Sequence, residues 1–543
     1  MDRLRSLLGG VLGAAGLIAV VTLASRAVGF VRWLVQSWTV GASGAGTAYE
    51  TANRIPNVLF EVAAGGALAG AVVPLLAVPL ARHLRRDVDR TASALLGWAL
   101  LVLVPLAAAV AAAAGPLAGL LLPGRDVDPA LVALTTTFLR IFALQVPLYG
   151  VGVVLSGVLQ AQRRFFWPAF APLLSSLVVV ASYLAFGALA GGHQDDPAAL
   201  PGAAVAWLAW GTTAGVAAMS LCQLPPVLRS GVRLRPGLRF PPGVARRAGR
   251  LAAAGIGALL AQQLSVVVVL YLANTAGEVG TINVYGYAQA VYFLPYAVLA
   301  VPVSTAVFPR LAEHAGTGDR RAFAALAAGS TRLVVAVALL GAALLVAVAP
   351  AATAVFSLRF PMPGMTAAIT WFAPGIVGYA LIFHISRALY AVDRGRAAVA
   401  ATASGWLVVS VASWALTALL APDGGDGPAT LTALALGSSL GMVVAGVLLL
   451  AAMRRAGGPG TLGGLARTGV VVVAGAALGA LAGRWVVDAL LAAVGAGLAG
   501  AVVAAVAGAV VAAAPAAAAV LLLDRGTVRA GAWSQESGAD SRP

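Results

Sequence analysis

The chain has no lysine: all 35 of its basic residues are arginine. A Walker-type phosphate loop needs its lysine, so none is present. A single cysteine, Cys222, excludes a disulfide framework and a cysteine metal centre. The four histidines, His83, His193, His314 and His384, are scattered, with no two at ligand spacing. No metal and no other cofactor is expected. Charge is scarce too, at 10% of the 543 residues. No nucleophile–base pair, metal cluster or phosphate loop is visible, so the chain does not read as an enzyme.

What is there is apolar. Hydrophobic residues make up 61% of the chain, and its mean hydropathy is +0.94. These values exclude a soluble domain and define an all-α polytopic membrane protein. The net charge of +16 raises nucleic acid as a partner. The arginines lie in short loops between apolar runs, however, so they orient the chain in a membrane instead.

At roughly 20 apolar residues per span, the sequence holds about fourteen spans. They lie near 11–40, 52–81, 92–122, 131–160, 166–190, 201–228, 244–273, 280–309, 322–349, 367–391, 396–421, 429–453, 467–488 and 494–523. The basic start and apolar run at the N-terminus resemble a signal peptide, but the run continues to Val40 and reads as an uncleaved first helix. That span is long, and Gly29 between Arg26 and Arg32 predicts a bend or break. Even-numbered spans end in basic loops, such as Arg82–Arg90, Arg163–Arg164 and Arg310–Arg321. The alternate loops, among them Gly191–Asp196 and Asp423–Asp426, are poor in arginine. The asymmetry keeps one sign throughout and predicts that both termini are cytoplasmic.

The most polar stretch of this apolar chain is Ser25–Pro74. Glu50, Arg54, Asn57 and Glu61 recur at i, i+4, i+7 and i+11, so on a helix they share one face. A charge at the bilayer centre costs at least ~2.5–3.5 kcal/mol, so this stripe must face protein or a watery cavity. Glu50–Arg54 also reads as a helix-tying i,i+4 ion pair. Arg26 and Arg32 on the preceding helix favour a polar cavity shared by the two helices. Other amides inside spans are Gln145, Gln262, Gln263, Asn274, Asn283 and Gln289. Such amides either glue helices together or bind ligands. Asn283 and Gln289, on the eighth span, are the cavity candidates among them.

The two halves echo each other. Ser156, Leu159, Ala161 and Arg164 match Ser386, Leu389, Ala391 and Arg394 at one offset of 230. Likewise Ile55–Pro56 to Val73–Pro74 parallels Leu294–Pro295 to Phe308–Pro309. The expected organisation is an N-terminal six-helix lobe (1–230), a C-terminal six-helix lobe (231–458) in pseudo-twofold relation, two appended helices (459–523) and a disordered tail (524–543). Such repeats place a substrate site between halves that alternate in access. The appended helices are nearly pure Ala, Gly, Val and Leu. They read either as lipid-facing packing or as a groove for a lipid tail.

Several motifs together resemble one family. Ser25-Arg26, Gly29-Phe30, Arg32 and Gly41-Ala42 are followed by IPN (55–57), AGGAL (64–68) and VVP (72–74). The segment RRFFWPAFAP (163–172), Tyr287-Ala288, Leu294-Pro295-Tyr296 and Phe308-Pro309 continue the pattern. They resemble the MurJ/MviN lipid II flippases of the multidrug/oligosaccharidyl-lipid/polysaccharide exporter superfamily. The resemblance implies a plasma-membrane transporter for peptidoglycan biosynthesis. Its substrate would be an undecaprenyl-pyrophosphate-linked saccharide, lipid II, whose head group moves from the inner to the outer leaflet through a cationic cavity. The two extra helices would hold the polyprenyl tail. Membrane lipids and cell-wall synthesis proteins are the implied partners, with no nucleic acid among them. By motif, Arg26 and Arg32 take the positions of the family's helix-1 arginines, Arg26 as a pyrophosphate ligand. Asn57 matches an asparagine and Arg54 a basic position before it. Guanidinium suits the task, since it binds phosphate through two parallel hydrogen bonds.

The chain departs from that family's pattern at three places. Thr47 stands where many relatives carry an acid, Gly65 where some carry glutamate, and Gln289-Ala290 where some carry arginine. Arg387, beside His384, either replaces that missing cation or extends to the cytoplasmic interface. These departures keep two alternatives open: a divergent paralogue for another lipid-linked saccharide, and a drug or cation antiporter of the same superfamily. With no nucleotide site, the membrane potential or an ion gradient is the expected driver.

Overall fold

The computed structural model describes residues 2–62, 69–123, 127–235, 237–240 and 256–523. The AGGAL motif, with Gly65, the basic residues Arg246, Arg247 and Arg250, and the tail from 524 lie outside them. Every regular element among the described residues is helical. Contacts divide the chain into two compact units, 1–259 and 260–543.

The first unit contains α1 (Asp2–Thr39), α2 (Gly44–Phe60), α3 (Ala69–Ala81), α4 (Arg85–Ala112), α5 (Ala114–Leu121), α6 (Pro129–Phe142), α7 (Gln145–Ala161), α8 (Phe166–Leu189), α9 (Gly202–Leu221) and α10 (Leu224–Arg229). The second follows from α11 (Ile256–Thr275), which begins at the boundary. It continues with α12 (Thr281–Pro295), a π-helical turn (Tyr296–Ala300), α13 (Val301–Thr317), α14 (Arg320–Phe356), α15 (Met365–Phe372), α16 (Gly375–Ala391), α17 (Gly395–Leu420), α18 (Gly427–Gly457), α19 (Leu465–Val494) and α20 (Leu498–Leu523).

Only a helix or closed barrel satisfies every backbone polar group inside hydrocarbon, which is why apolar runs of this length fold this way. Among the described residues twelve helices are long and apolar enough to cross a membrane. A thirteenth span is the pair α15–α16, bent by 45° at a short break that contains Pro374. The expected span 52–81 corresponds to parts of α2 and α3, with 63–68 between them undescribed. That makes up to thirteen candidate spans, roughly the fourteen expected. Polar side chains set several helix starts. Ser43 caps α2 by accepting from the Gly46 amide at 3.1 Å. Asp128, Asp319 and Asp426 do the same for α6, α14 and α18. Each cap satisfies one of the orphan donors at a helix N-terminus.

One expectation needs correcting. Gly29 does not break α1 into two helices; helical structure is continuous from Asp2 to Thr39. Among the described residues nothing lies within 4 Å of where a Gly29 Cβ would sit. A glycine weakens a helix by ~1 kcal/mol relative to alanine, far less than leaving backbone groups unpaired in lipid. At 1.5 Å per residue α1 is ~57 Å long, so it outruns the bilayer core.

The internal repeat is visible in the element boundaries. Helices α7 (145–161) and α16 (375–391) begin and end 230 residues apart, as do the preceding ends at Phe142 and Phe372. The turns that follow repeat as well. Arg163 and Asp393, also 230 apart, adopt left-handed φ of 60° and 58°. The next amides, of Arg164 and Arg394, donate back to the carbonyls of Leu159 and Leu389, both at 2.8 Å.

In the second unit α19 and α20 pack against each other and against α14. Gly475, Gly479 and Gly483 recur every four residues, and the backbone carbonyls of Pro515, Ala512 and Gly508 approach them closely. Small residues let the two backbones come together. The outer face keeps Val470, Leu478, Leu481 and Trp485 exposed, as a lipid-facing surface requires.

Candidate functional site

In the first unit α1, α2, α8 and α9 converge on a buried polar network. Arg32 lies on α1, where its charge acts on the Tyr183 hydroxyl of α8, and its guanidinium sits 5.0 Å from the Trp33 ring. Tyr183 is also 3.3 Å from Gln36 Oε1, to which it can donate. The Gln36 amide donates from Nε2 to Glu50 Oε1 at 2.7 Å. The second oxygen of Glu50 lies 3.5 Å from Arg54 Nε. One chain of contacts thus joins two arginines through Tyr183, Gln36 and Glu50. Gln36 and Glu50 are buried, whereas Arg32 and Arg54 are half-buried.

Helix spacing explains this convergence. Arg32 and Gln36 are four apart on α1, and Glu50 and Arg54 are four apart on α2, so each pair shares a face. Tyr49, next to Glu50, fixes the cross-helix geometry. Its hydroxyl is 2.8 Å from that of Tyr183 and 3.2 Å from Thr212 Oγ1 on α9. Thr212 donates its own proton to the Leu208 carbonyl. Phe138 and Phe142 on α6 stack in parallel, 5.6 Å apart. Tyr49 meets both edge-on, the favoured arrangement for aromatic pairs. The ring is therefore held from three sides.

Further along α2, Asn57 accepts from the Tyr149 hydroxyl at 3.0 Å and donates to the Asn53 carbonyl at 2.8 Å. Phe60 packs on the Tyr149 ring at 4.4 Å. Beside them lies a cavity of about 220 Å³ bordered by Phe60, Tyr149, Ser156, Pro168, Pro172 and Gln223. Glu61, the last member of the stripe, is exposed. The four-residue stripe is therefore graded: Glu50 inside, Arg54 and Asn57 at the margin, Glu61 outside. Arg26 is exposed on α1 and does not join the network. Thr47 is buried on α2, one turn before Glu50.

The second unit holds the remaining candidates. Asn283 is fully buried near the start of α12, and among the described residues neither atom of its amide has a hydrogen-bond partner. Gln289 is half-buried on the same helix. Arg387 on α16 is half-buried with its guanidinium 3.8 Å above the Phe383 ring and 5.9 Å from Phe308. His384 is buried, 3.1 Å from Ser330 Oγ. Among the described residues no group of His, Cys, Asp or Glu is arranged to hold a metal.

Sequence reasoning thus identified Arg32, Glu50 and Arg54, which come together, and missed Gln36, Tyr49, Tyr183 and Thr212. Gln36 was detectable as a lone amide one turn after Arg32 in an apolar span. Tyr183 carries no comparable local signal.

A sequence model of one family, described as lipid II flippase MurJ, matches residues 37–507. The chain belongs to the lipid II flippase MurJ family. A lipid II flippase MurJ of Burkholderia cenocepacia is 27% identical over 68% of this chain and 71% of that protein. A probable lipid II flippase MurJ of Rhizobium meliloti is 29% identical over 55% of this chain. That match spans about half of the relative, 54% of its length. Among solved structures, a lipid II flippase MurJ in an inward closed conformation matches with a TM-score of 0.71 and 17% identity, over 94% of this chain and all of that one. An inward-facing multidrug resistance transporter of the MATE family matches with a TM-score of 0.63 and 15% identity, over 80% of this chain and 98% of that one. These structures share the fold. The family match begins at residue 37, so Arg26 and Arg32 precede it.

Proposed function

We propose that the chain flips lipid II, moving its head group from the inner to the outer leaflet of the bacterial plasma membrane with both termini cytoplasmic. Family membership supports the substrate. The observation that carries the site is the pair of arginines, Arg32 and Arg54, joined through Tyr183, Gln36 and Glu50 inside a membrane-spanning unit. Pyrophosphate is the chemical match to such a pair, because guanidinium offers fixed, fork-shaped donors to phosphate oxygens.

In this reading Arg26, Arg32 and Arg54 bind the pyrophosphate, with Asn57 as a neutral donor beside them. Glu50 balances charge while the site is empty, since an uncompensated membrane charge is costly. Glu61, Asn283 and Gln289 are secondary contacts for the rest of the head group, and Arg387 is a further contact to a phosphate oxygen. The six-helix lobes at 1–230 and 231–458 would alternate in access, and helices 459–523 would hold the polyprenyl tail. Cell-wall synthesis proteins would be its partners in the membrane.

The test is complementation of a bacterium depleted of its own lipid II flippase. Wild-type chain is expected to restore growth, and Arg32→Ala to fail with equal membrane insertion. Failure of a well-inserted wild type would favour another lipid-linked saccharide as substrate. Thr47 and Ala290 are then the first positions to restore to Asp and Arg.

A further inference from the structure

An aromatic stripe in the second unit ends in an arginine. Tyr379, Phe383 and Arg387 lie at i, i+4 and i+8 of α16, which places them on one face. Tyr296, at the π-helical turn after α12, stands edge-on to Tyr379 at 4.8 Å and 83° and to Phe383 at 5.9 Å and 90°. Phe293 completes the group, 5.2 Å from Tyr379. A π-helical turn often marks a functional site, since it re-aims side chains at the cost of regular hydrogen bonding.

Three features separate these rings from ordinary core packing. Tyr296, Tyr379 and Phe383 are half-exposed, unlike the buried Tyr292 and Phe372 beneath them. Tyr296 lies near the middle of the Thr281–Thr317 span, and Tyr379 near the middle of 365–391. Interfacial belts place Tyr and Trp at the span ends instead. The stripe also ends in a charged group, Arg387, one turn from the end of α16. Among the described residues no carboxylate pairs with Arg387. Its guanidinium carbon lies 3.8 Å from the Phe383 ring centroid, a cation–π contact that satisfies none of its N–H donors.

We propose that this stripe binds the saccharide of the transported lipid, with the sugar rings stacked on Tyr379, Phe383 and Tyr296 and a phosphate oxygen on Arg387. The proposal rests on the flippase reading and adds the sugar-recognising residues to it. A pyranose turns a face of weakly positive C–H groups towards its neighbour, and an aromatic ring offers a negative face. A stacking platform beside a stacked cation suits a sugar joined to phosphate better than a free sugar or a bare phosphate.

The experiment compares binding of two probes to the purified full chain: undecaprenyl pyrophosphate and lipid II. Tyr379→Leu and Phe383→Leu keep apolar bulk and remove the rings. Each is expected to weaken lipid II binding about tenfold and to leave undecaprenyl pyrophosphate binding within about twofold. Tyr379→Phe restores a ring and is expected to recover most of the lost affinity. Arg387→Gln should weaken both probes. Equal losses for both probes in the leucine variants, or no loss for either, would overturn the stacking role. Binding of neither probe by wild type would instead remove the flippase reading beneath it. Should the leucine variants fail to fold, saturation transfer from aromatic protons to the sugar ring protons of lipid II answers the question in the wild type. Transfer is expected, and its absence in a bound complex contradicts the proposal.

Discussion

Gln36 is the residue on which the polar network of the first unit turns. Its carbonyl faces the Tyr183 hydroxyl and its amide group donates to Glu50, so one side chain connects the tyrosine beside Arg32 to the carboxylate that holds Arg54. Gln36→Leu keeps a similar volume and removes both links. Buried groups left unpaired cost ~1–3 kcal/mol, more when charged, so the variant should melt several degrees below wild type in detergent. An unchanged melting temperature would mean the links contribute nothing to folding. Arg26 offers the opposite case. It is exposed and outside the network, so Arg26→Ala should leave yield and melting temperature unchanged while abolishing complementation. Full growth with Arg26→Ala would remove Arg26 from the substrate site. The ion pair at Glu50 and Arg54 was legible because i,i+4 spacing is a local signal. Tyr183 was not legible, since it meets Tyr49 across 134 residues and Gln36 across 147, and no local pattern encodes such contacts.

At the scale of the element, glycine spacing governs how closely helices approach. A Cβ on Gly479 of α19 would run into the Ala512 carbonyl of α20, whereas one on Gly469 of the same helix meets nothing within 4 Å. Gly479→Ala should therefore destabilise the protein by ~1–3 kcal/mol through overpacking. Gly469→Ala should be neutral or stabilising by up to ~1 kcal/mol through helix propensity. Thermal unfolding of the two variants side by side checks the contrast, and equal shifts would contradict it. The number, positions and approximate ends of the spans could be read from apolar length and arginine loops, because the bilayer imposes both. The repeat offset of 230 was legible from four matched residues and reappears in the ends of α7 and α16. The continuity of α1 was not. Gly29 suggests a break only when the strength of hydrogen bonding in lipid is left out of account.

At the scale of the whole molecule, the chain commits scarce charge to few places. Many arginines lie in loops or near the ends of spans, where they orient the spans. Of those within spans, Arg54 is paired with Glu50, Arg32 lies beside Tyr183 and Arg387 is stacked on Phe383. That distribution suits a transporter of an anionic, sugar-bearing lipid. The central claim is that the chain moves lipid II across a bilayer by engaging its pyrophosphate through these arginines. The most direct test is reconstitution into liposomes carrying labelled lipid II, with the fraction accessible from each side followed over time. Wild-type chain should redistribute the label between leaflets, and Arg32→Ala, reconstituted at equal density, should slow the exchange at least about tenfold, as the loss of one charge-assisted contact predicts. Exchange at the wild-type rate in Arg32→Ala, or none with well-folded wild type under an imposed membrane potential, would contradict the account.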